Sequence, residues 1–148
     1  MYNHILIATD GSELATKAVA HGIALAKNLK VSVCIVTVTQ MWSAFELSRE
    51  TRLGNQNPIT QFEQMAIASA NNVLENAAQV AKSQGVTCEV VHVPDQHPAD
   101  GIIATAIEKG CDLIVMASHG RRGINRILLG SQANEVLTRS KVPALIVR

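Results

Sequence analysis

Two short segments of this chain hold residues that could do chemistry on a charged ligand. The first is Thr9-Asp10-Gly11-Ser12, where a carboxylate follows an apolar run, a glycine permits a tight turn and a serine can cap a helix. Asp10 there can hold a divalent cation or a ribose hydroxyl, or it can serve as a turn residue and partner for the positive end of a helix. The second segment runs from Ala117 to Ser131, ASHGRRGINRILLGS, with Arg121, Arg122, Arg126 and His119 and no acid. That composition suits an anion. Gly120 and Gly123 let the backbone approach a phosphate closely, and N–H groups at the Gly130–Ser131 helix start can donate to it with the dipole assisting. The Ser131 hydroxyl can join them. Glycine spacing by itself also fits a plain turn flanked by solvated arginines.

Other chemistries find less support. No Gly-Lys-Ser/Thr step occurs, and no G-x-G-x-x-G follows the first apolar run, so Walker and dinucleotide fingerprints are both absent. His4, His21, His92, His97 and His119 are scattered without the i, i+4 spacing of a helical metal site. His92 and His97 flank Pro94 and are expected at a loop rim, and His119 can contact a phosphate or, as the favoured reading, cap the glycine turn. Ser118 and His119 are chain neighbours not expected to face each other, so no hydrolase triad is read here. Efficient catalysis is not expected; slow magnesium-dependent hydrolysis of a bound nucleotide at Asp10 is the most the residues offer. Cys34, Cys88 and Cys111 are odd in number and far apart in the chain, and are expected to be reduced thiols.

The elements that must position these loops are those of an α/β protein, with short β-branched runs alternating with segments of helical period. Strands are predicted at His4–Thr9, Val31–Val38, Val86–Val93, Asp112–Ala117 and Pro143–Val147. The fourth is the continuous apolar run expected of a strand buried on both faces. A first helix is predicted from the Ser12 cap to about Leu29, with Ala15, Ala18, Val19, Gly22, Ile23 and Ala26 facing the sheet. A second runs from Thr60 to Ser83, its stripe being Phe62, Met65, Ala66, Val73, Ala77, Val80 and Ala81. A third covers Ala99–Lys109, and a fourth follows Gly130–Ser131 as far as Ser140. The long polar stretch Gln40–Ile59 is read as a connection, either a mobile insertion or, through Trp42, Phe45 and Leu47, a lid. In an open doubly wound sheet the loops after strands one and four meet where strand order reverses, which sets the two chemical segments side by side.

Composition bounds the partners. The 148 residues suit one domain, and 47% hydrophobic and 17% charged residues with a net charge of +1 are those of a globular protein not built for a polyanion. With only four aromatic residues, Tyr2, Trp42, Phe45 and Phe62, base-stacking platforms are lacking, so no nucleic-acid partner is expected. The MYNHILIATDGS start carries no cleavable leader pattern and no apolar run nears a membrane helix, so a cytoplasmic protein with no membrane partner is expected.

IATDGS after the first strand, the Ala117–Ser131 loop and the ending VPALIVR together resemble the universal stress protein family, over essentially the whole chain. In its ATP-binding branch the loop reads G-x2-G-x9-G-[S/T], and the matching positions here are Ala117, Gly120, Gly130 and Ser131. The resemblance implies a single doubly wound five-stranded parallel sheet of order 3-2-1-4-5 with helices on both faces, Rossmann-like and similar to the adenine nucleotide alpha-hydrolases. It implies a regulatory, stress-response protein that binds ATP or another adenine nucleotide with Mg2+ or Mn2+, with Asp10 as the metal and phosphate acid. Ala8 and Val38 would line the adenine and ribose pocket, with Thr9 and Met116 at neighbouring strand ends. Ser118, His119, Gly120, Arg121, Arg122 and Gly123, with Ser131, Gln132 and Ala133, would surround the phosphates. A homodimer through the terminal edge strand Pro143–Val147 is also implied. Ala117 departs from the family's first loop glycine. Alanine is harmless there if the strand simply continues, as expected of a strand end, and costs roughly 1–2 kcal/mol if the backbone needs positive φ. A family member with a degenerate loop would instead be a nucleotide-free interaction protein.

Overall fold

The computed structural model describes residues 1–40, 44–121 and 128–148. Along the chain run β1 (His4–Ala8), α1 (Glu13–Leu29), β2 (Ser32–Val38), α2 (Ala44–Arg52), α3 (Pro58–Ser83), β3 (Cys88–Val93), α4 (Pro98–Glu108), β4 (Leu113–Ala117), α5 (Ser131–Arg139) and β5 (Ala144–Val147). The five strands form one parallel sheet in the order β3-β2-β1-β4-β5, as the resemblance implied. In register, Leu6 of β1 lies between Cys34 of β2 and Ile114 of β4.

Alternate residues of the central strands feed two cores. Ile5, Ile7, Val33, Ile35 and Val115 face α1 and α3, where they meet Val19, Ile23, Leu74 and Ala77. Leu6, Ala8, Cys34, Val36, Ile114 and Met116 face α4 and α5, against Ile102, Ala106 and Val136. Both faces of β1, β2 and β4 are therefore covered, which is why these strands read as unbroken apolar runs. The α1 stripe is the expected one, and the Ser12 hydroxyl accepts from the Ala15 N–H at 3.2 Å as its cap.

Two expectations need correction. The stretch read as a connection contains α2, nine residues with Arg49 and Arg52 in its last turn. It is short and polar on average, and none of its residues 45–52 is buried; good helix formers and cations at the negative end of the dipole favour it. Phe45 on α2 is 78% exposed, and neither it nor Leu47 lines the cavity described below, while Trp42 lies outside the described residues. In α3 the buried residues are Ala70, Leu74, Ala77 and Ala81, and Met65 is 71% exposed. The helix's 26 residues span about 39 Å at 1.5 Å per residue. A six-residue strand spans only about 20 Å, so the first turns of α3 run past the sheet and bury little.

Asp112, just before β4, pins the N-terminus at the opposite end of the sheet from the two chemical loops. Its carboxylate accepts from the Asn3 N–H at 2.8 Å, the His4 N–H at 3.1 Å and the Asn3 side-chain amide at 3.2 Å. Burial works to raise this carboxyl, but donation by His4 and Asn3 outweighs it and holds the group below the usual aspartate value. A depressed folded value stabilises the protein above the unfolded value of about 3.9, and that stabilisation is lost as pH falls through the folded value. Asp112→Asn is therefore expected to unfold at lower urea than the wild type at pH 7. Repeating the titration near pH 3 should bring the two curves together; a constant offset at both pH values would contradict the account.

Candidate functional site

At the C-terminal ends of β1, β2 and β4 the sheet opens into a cavity of about 970 Å³, the upper end of the range for small-ligand sites. Its position follows from the topology: the chain leaves β1 toward β2 and β3 on one side and returns to β4 and β5 on the other, so the loops after β1 and β4 diverge and leave a crevice. Ala8, Thr9, Asp10, Val38, Met116, Ala117, Ser118, His119, Gly120, Arg121, Gly130, Ser131, Gln132 and Ala133 all line it. Arg122 and Gly123, also expected there, lie outside the described residues. One wall is apolar, built from Ala8, Val36, Val38, Ile102 and Met116; the other is the polar pair of loops.

Asp10 joins those loops. One carboxylate oxygen accepts from the Ser12 N–H at 2.9 Å, closing the turn into α1, and the other accepts from the Arg121 N–H at 2.9 Å. Two of the sequence readings of Asp10 meet here: it is a turn residue, and it faces the cavity. A Cβ on Gly120 would stand 2.7 Å from the Asp10 Oδ2, so a side chain there would push the carboxylate off the Arg121 N–H. Across the cavity, the Gly130 N–H donates to the Ser118 carbonyl oxygen at 2.9 Å, and a Cβ on Gly130 would lie 2.6 Å from that same oxygen. The loop is thus clamped at both ends, at Gly130 by a backbone contact that only glycine allows.

Gly130 is the N-cap of α5 and has no side chain to satisfy the N–H groups of the first turn, which border the cavity. The neighbouring helix α4 also starts at this rim, but its Ala99 N–H is taken by the Gln132 side-chain oxygen at 2.9 Å. Gln132, expected around a phosphate, therefore straps α5 to α4. The anion-attracting end left open is that of α5, in the cavity that Arg121 also lines.

Ala117 ends β4 in register with Val147, and it is not among the positive-φ residues. Its methyl packs against Ala15 and Ala18 of α1. Alanine in place of glycine thus carries no backbone strain here. Contrary to expectation, Ser118 and His119 do meet, with Oγ 3.1 Å from Nδ1. Among the described residues no carboxylate holds the second ring nitrogen, so the pair lacks the orienting third group of a hydrolase. Nor do the described residues contain a cluster of three or more His, Cys, Asp or Glu side chains that could hold a metal by themselves. Asp10 remains the one carboxylate among the two chemical loops' cavity residues, enough for a cation that takes most of its ligands from phosphate and water.

Sequence reasoning put His97 at a loop rim but missed the third side of the cavity, which His97 forms with Asp95, Gln96 and Pro98 after β3 and Gln40 after β2. The Gln96 N–H donates to the Thr39 carbonyl oxygen at 3.2 Å, and the Thr39 hydroxyl lies 2.8 Å from His92 Nε2, so the two strand tips are knitted together. Burial lowers the His92 ring value, with Asp95 opposing. Asp95 has a φ of +56°, a conformation aspartate tolerates better than most residues. The spacing Pro94-Asp95-Gln96-His97-Pro98 was the available signal: a turn between two prolines, one of them at a helix start.

A doubly wound parallel sheet with a cavity at its switch point, apolar on one side and closed by a glycine loop and an open helix N-terminus on the other, defines a Rossmann-like α/β domain. The chain belongs to the universal stress protein family, whose profile it matches over residues 1–148. It is 32% identical to the universal stress protein YxiE of Bacillus subtilis, with all of both chains covered. Among solved structures it resembles the protein MJ0577 of Methanocaldococcus jannaschii, at 28% identity and a TM-score of 0.78 over 99% of this chain and 96% of that one. It also resembles a universal stress protein solved in complex with cAMP, at 26% identity and a TM-score of 0.72 over 99% and 97% of the two chains.

Proposed function

We propose that this protein is a cytoplasmic regulatory protein that binds an adenine nucleotide, ATP with a divalent cation, and works as a homodimer whose loop order and dimer surface respond to occupancy. The observation that carries the reading is the pairing, within one cavity, of an apolar slot with the uncapped N-terminus of α5. A base fits between Ala8, Val38 and Met116, and phosphates fit where the Ser131, Gln132 and Ala133 N–H groups and Arg121 supply positive charge. The relative that holds cAMP supports an adenine ligand. A bound magnesium ion would neutralise phosphate charge, and Asp10 is the residue placed to hold it. No step of rapid hydrolysis is assigned to these residues.

Ser131→Glu tests the phosphate side without disturbing the fold. Ser131 is exposed at the first position of α5, where a carboxylate favours the helix dipole but repels a phosphate. Calorimetric titration should show ATP binding weakened at least about tenfold, an effect of about 1.4 kcal/mol. Adenosine binding and the melting temperature should be unchanged. Undiminished ATP affinity in this variant would refute the phosphate placement, and failure of the wild type to bind ATP at all would refute the reading.

The dimer rests on β5, which pairs with β4 on one side only and leaves half-buried Leu145, Ile146 and Val147 at the sheet edge. Sedimentation at micromolar concentration is expected to give twice the chain mass. A monomer would remove the dimer from the proposal and leave the nucleotide site standing.

A further inference from the structure

Among the described residues two that are not glycine adopt positive φ, Lys30 and Asp95. Lys30 has an ordinary reason: it ends α1 as a left-handed cap, its N–H returning to the carbonyl oxygens of Ala26 and Lys27. Asp95 ends no helix and lies in the turn between β3 and α4. Glycine would take that conformation without the steric cost of a Cβ. A residue held in a costly conformation at the wall of a cavity is a candidate for ligand contact.

The turn is firmly placed against the apolar slot. The Thr39 N–H donates to the Val93 carbonyl oxygen at 2.9 Å and the Gln96 N–H returns to the Thr39 carbonyl oxygen at 3.2 Å, so both sides of the turn are tied to the residue that follows Val38. Beyond it, the Gly101 N–H donates to the His97 carbonyl oxygen at 3.0 Å, and a Cβ on Gly101 would stand 2.8 Å from Val38 Cγ2. Asp95 is thereby fixed between two segments that abut the end of β2, and it lines the cavity together with Ala8, Val38 and Met116. Its side chain is exposed, and among the described residues its carboxylate enters no hydrogen bond or ion pair, although its charge is felt at His92. Asp10 differs, since each of its oxygens already holds a backbone N–H. The cavity therefore has an unpartnered acceptor on its β3 side and the open N-terminus of α5 on another.

We propose that Asp95 is the base-reading residue of this cavity, its carboxylate accepting a hydrogen bond from the exocyclic amino group of the purine. The inference rests on the nucleotide reading above and names the group that makes the site choose adenine. With the phosphates drawn to the start of α5, the base lies between Ala8, Val38 and Met116 and turns its far edge to the β3 side. An ionised carboxylate can only accept, so it favours a ring that offers an N–H at that edge. A purine without the amino group leaves the carboxylate with no partner, and the complex loses a charge-assisted bond. The same negative charge repels a phosphate at this end, so the ligand enters one way round.

In calorimetric titration the wild-type protein is expected to bind ATP about tenfold more tightly than purine riboside triphosphate, which lacks only the amino group. Asp95→Gly removes the carboxylate and keeps a residue at ease with positive φ. In that variant ATP should weaken to the level of the analogue while the analogue binds as before, so the preference disappears. Asp95→Asn, whose amide oxygen still accepts, should fall between and serves if the glycine variant folds poorly. Equal binding of the two ligands by the wild type, or a preference that survives in both variants, would overturn the proposal. So would variants that weaken or strengthen both ligands alike, which would assign Asp95 to the ribose or to a general field. Wild-type protein that binds neither ligand removes the nucleotide reading and this inference with it, whereas ATP bound without regard to its amino group removes the inference alone.

Discussion

Replacing Gly130 with valine is expected to lower the melting temperature by about 8 °C and to abolish ATP binding. The added Cβ would lie 2.6 Å from the Ser118 carbonyl oxygen and 3.3 Å from the His119 Cα, both backbone atoms that cannot rotate aside. The loop must move, which breaks the Gly130 N–H bond to Ser118 and separates the α5 N-terminus from the tip of β4. Overpacking costs roughly 1–3 kcal/mol and the lost hydrogen bond about 1 kcal/mol. A domain of this length shifts by about 2–4 °C per kcal/mol. A thermal melt checks the first part and titration calorimetry the second. If the variant melts with the wild type, the loop yields without cost and the clamp described above is not one. Lost binding in this variant reports a displaced loop, so the charge test at Ser131 is the more specific probe of phosphate contact.

Asp10→Ala is expected to cost about 2–3 kcal/mol of stability. Two backbone N–H groups, of Ser12 and Arg121, lose a charged acceptor. Charge-assisted hydrogen bonds contribute roughly 1.5–3 kcal/mol each, and the half-exposed position of Asp10 argues for the lower end. Asp10→Asn keeps one good acceptor and should fall between. The nucleotide measurement separates two roles. If Asp10 acts by joining the loops, ATP affinity drops at least about tenfold with or without magnesium, about 1.4 kcal/mol in each case. If it acts only as a cation ligand, the loss disappears when magnesium is removed, and equal affinities of variant and wild type in EDTA would reject the scaffold role.

Much of this protein was legible because the signals were local. The stripe Ala15, Ala18, Val19, Gly22, Ile23 and Ala26 is a property of one helix, and the Ser12 cap involves residues three apart. Failures came where a local pattern had to be interpreted through its surroundings. Met65 repeats correctly within α3 yet faces solvent, because a stripe says which residues share a face but not how far the sheet beneath them extends. Helix α2 escaped because it is nine residues long and polar on average, a composition that reads as a connection, and none of its residues 45–52 is buried.

By itself, the sequence determined the α/β class, the switch-point pair of loops and, through its resemblance to a family, the strand order; each follows from periodicity, turn chemistry or motif, which act over a few residues. Only the tertiary structure decided what those loops do to one another. Asp10 and the Arg121 N–H, and Gln132 and the Ala99 N–H, are distant in the chain and adjacent in space. Their meeting depends on the register β1 adopts between β2 and β4, which is set by packing both faces of the sheet at once. No window of sequence contains that condition, so the loop clamp and the helix strap appear only when the whole core is assembled.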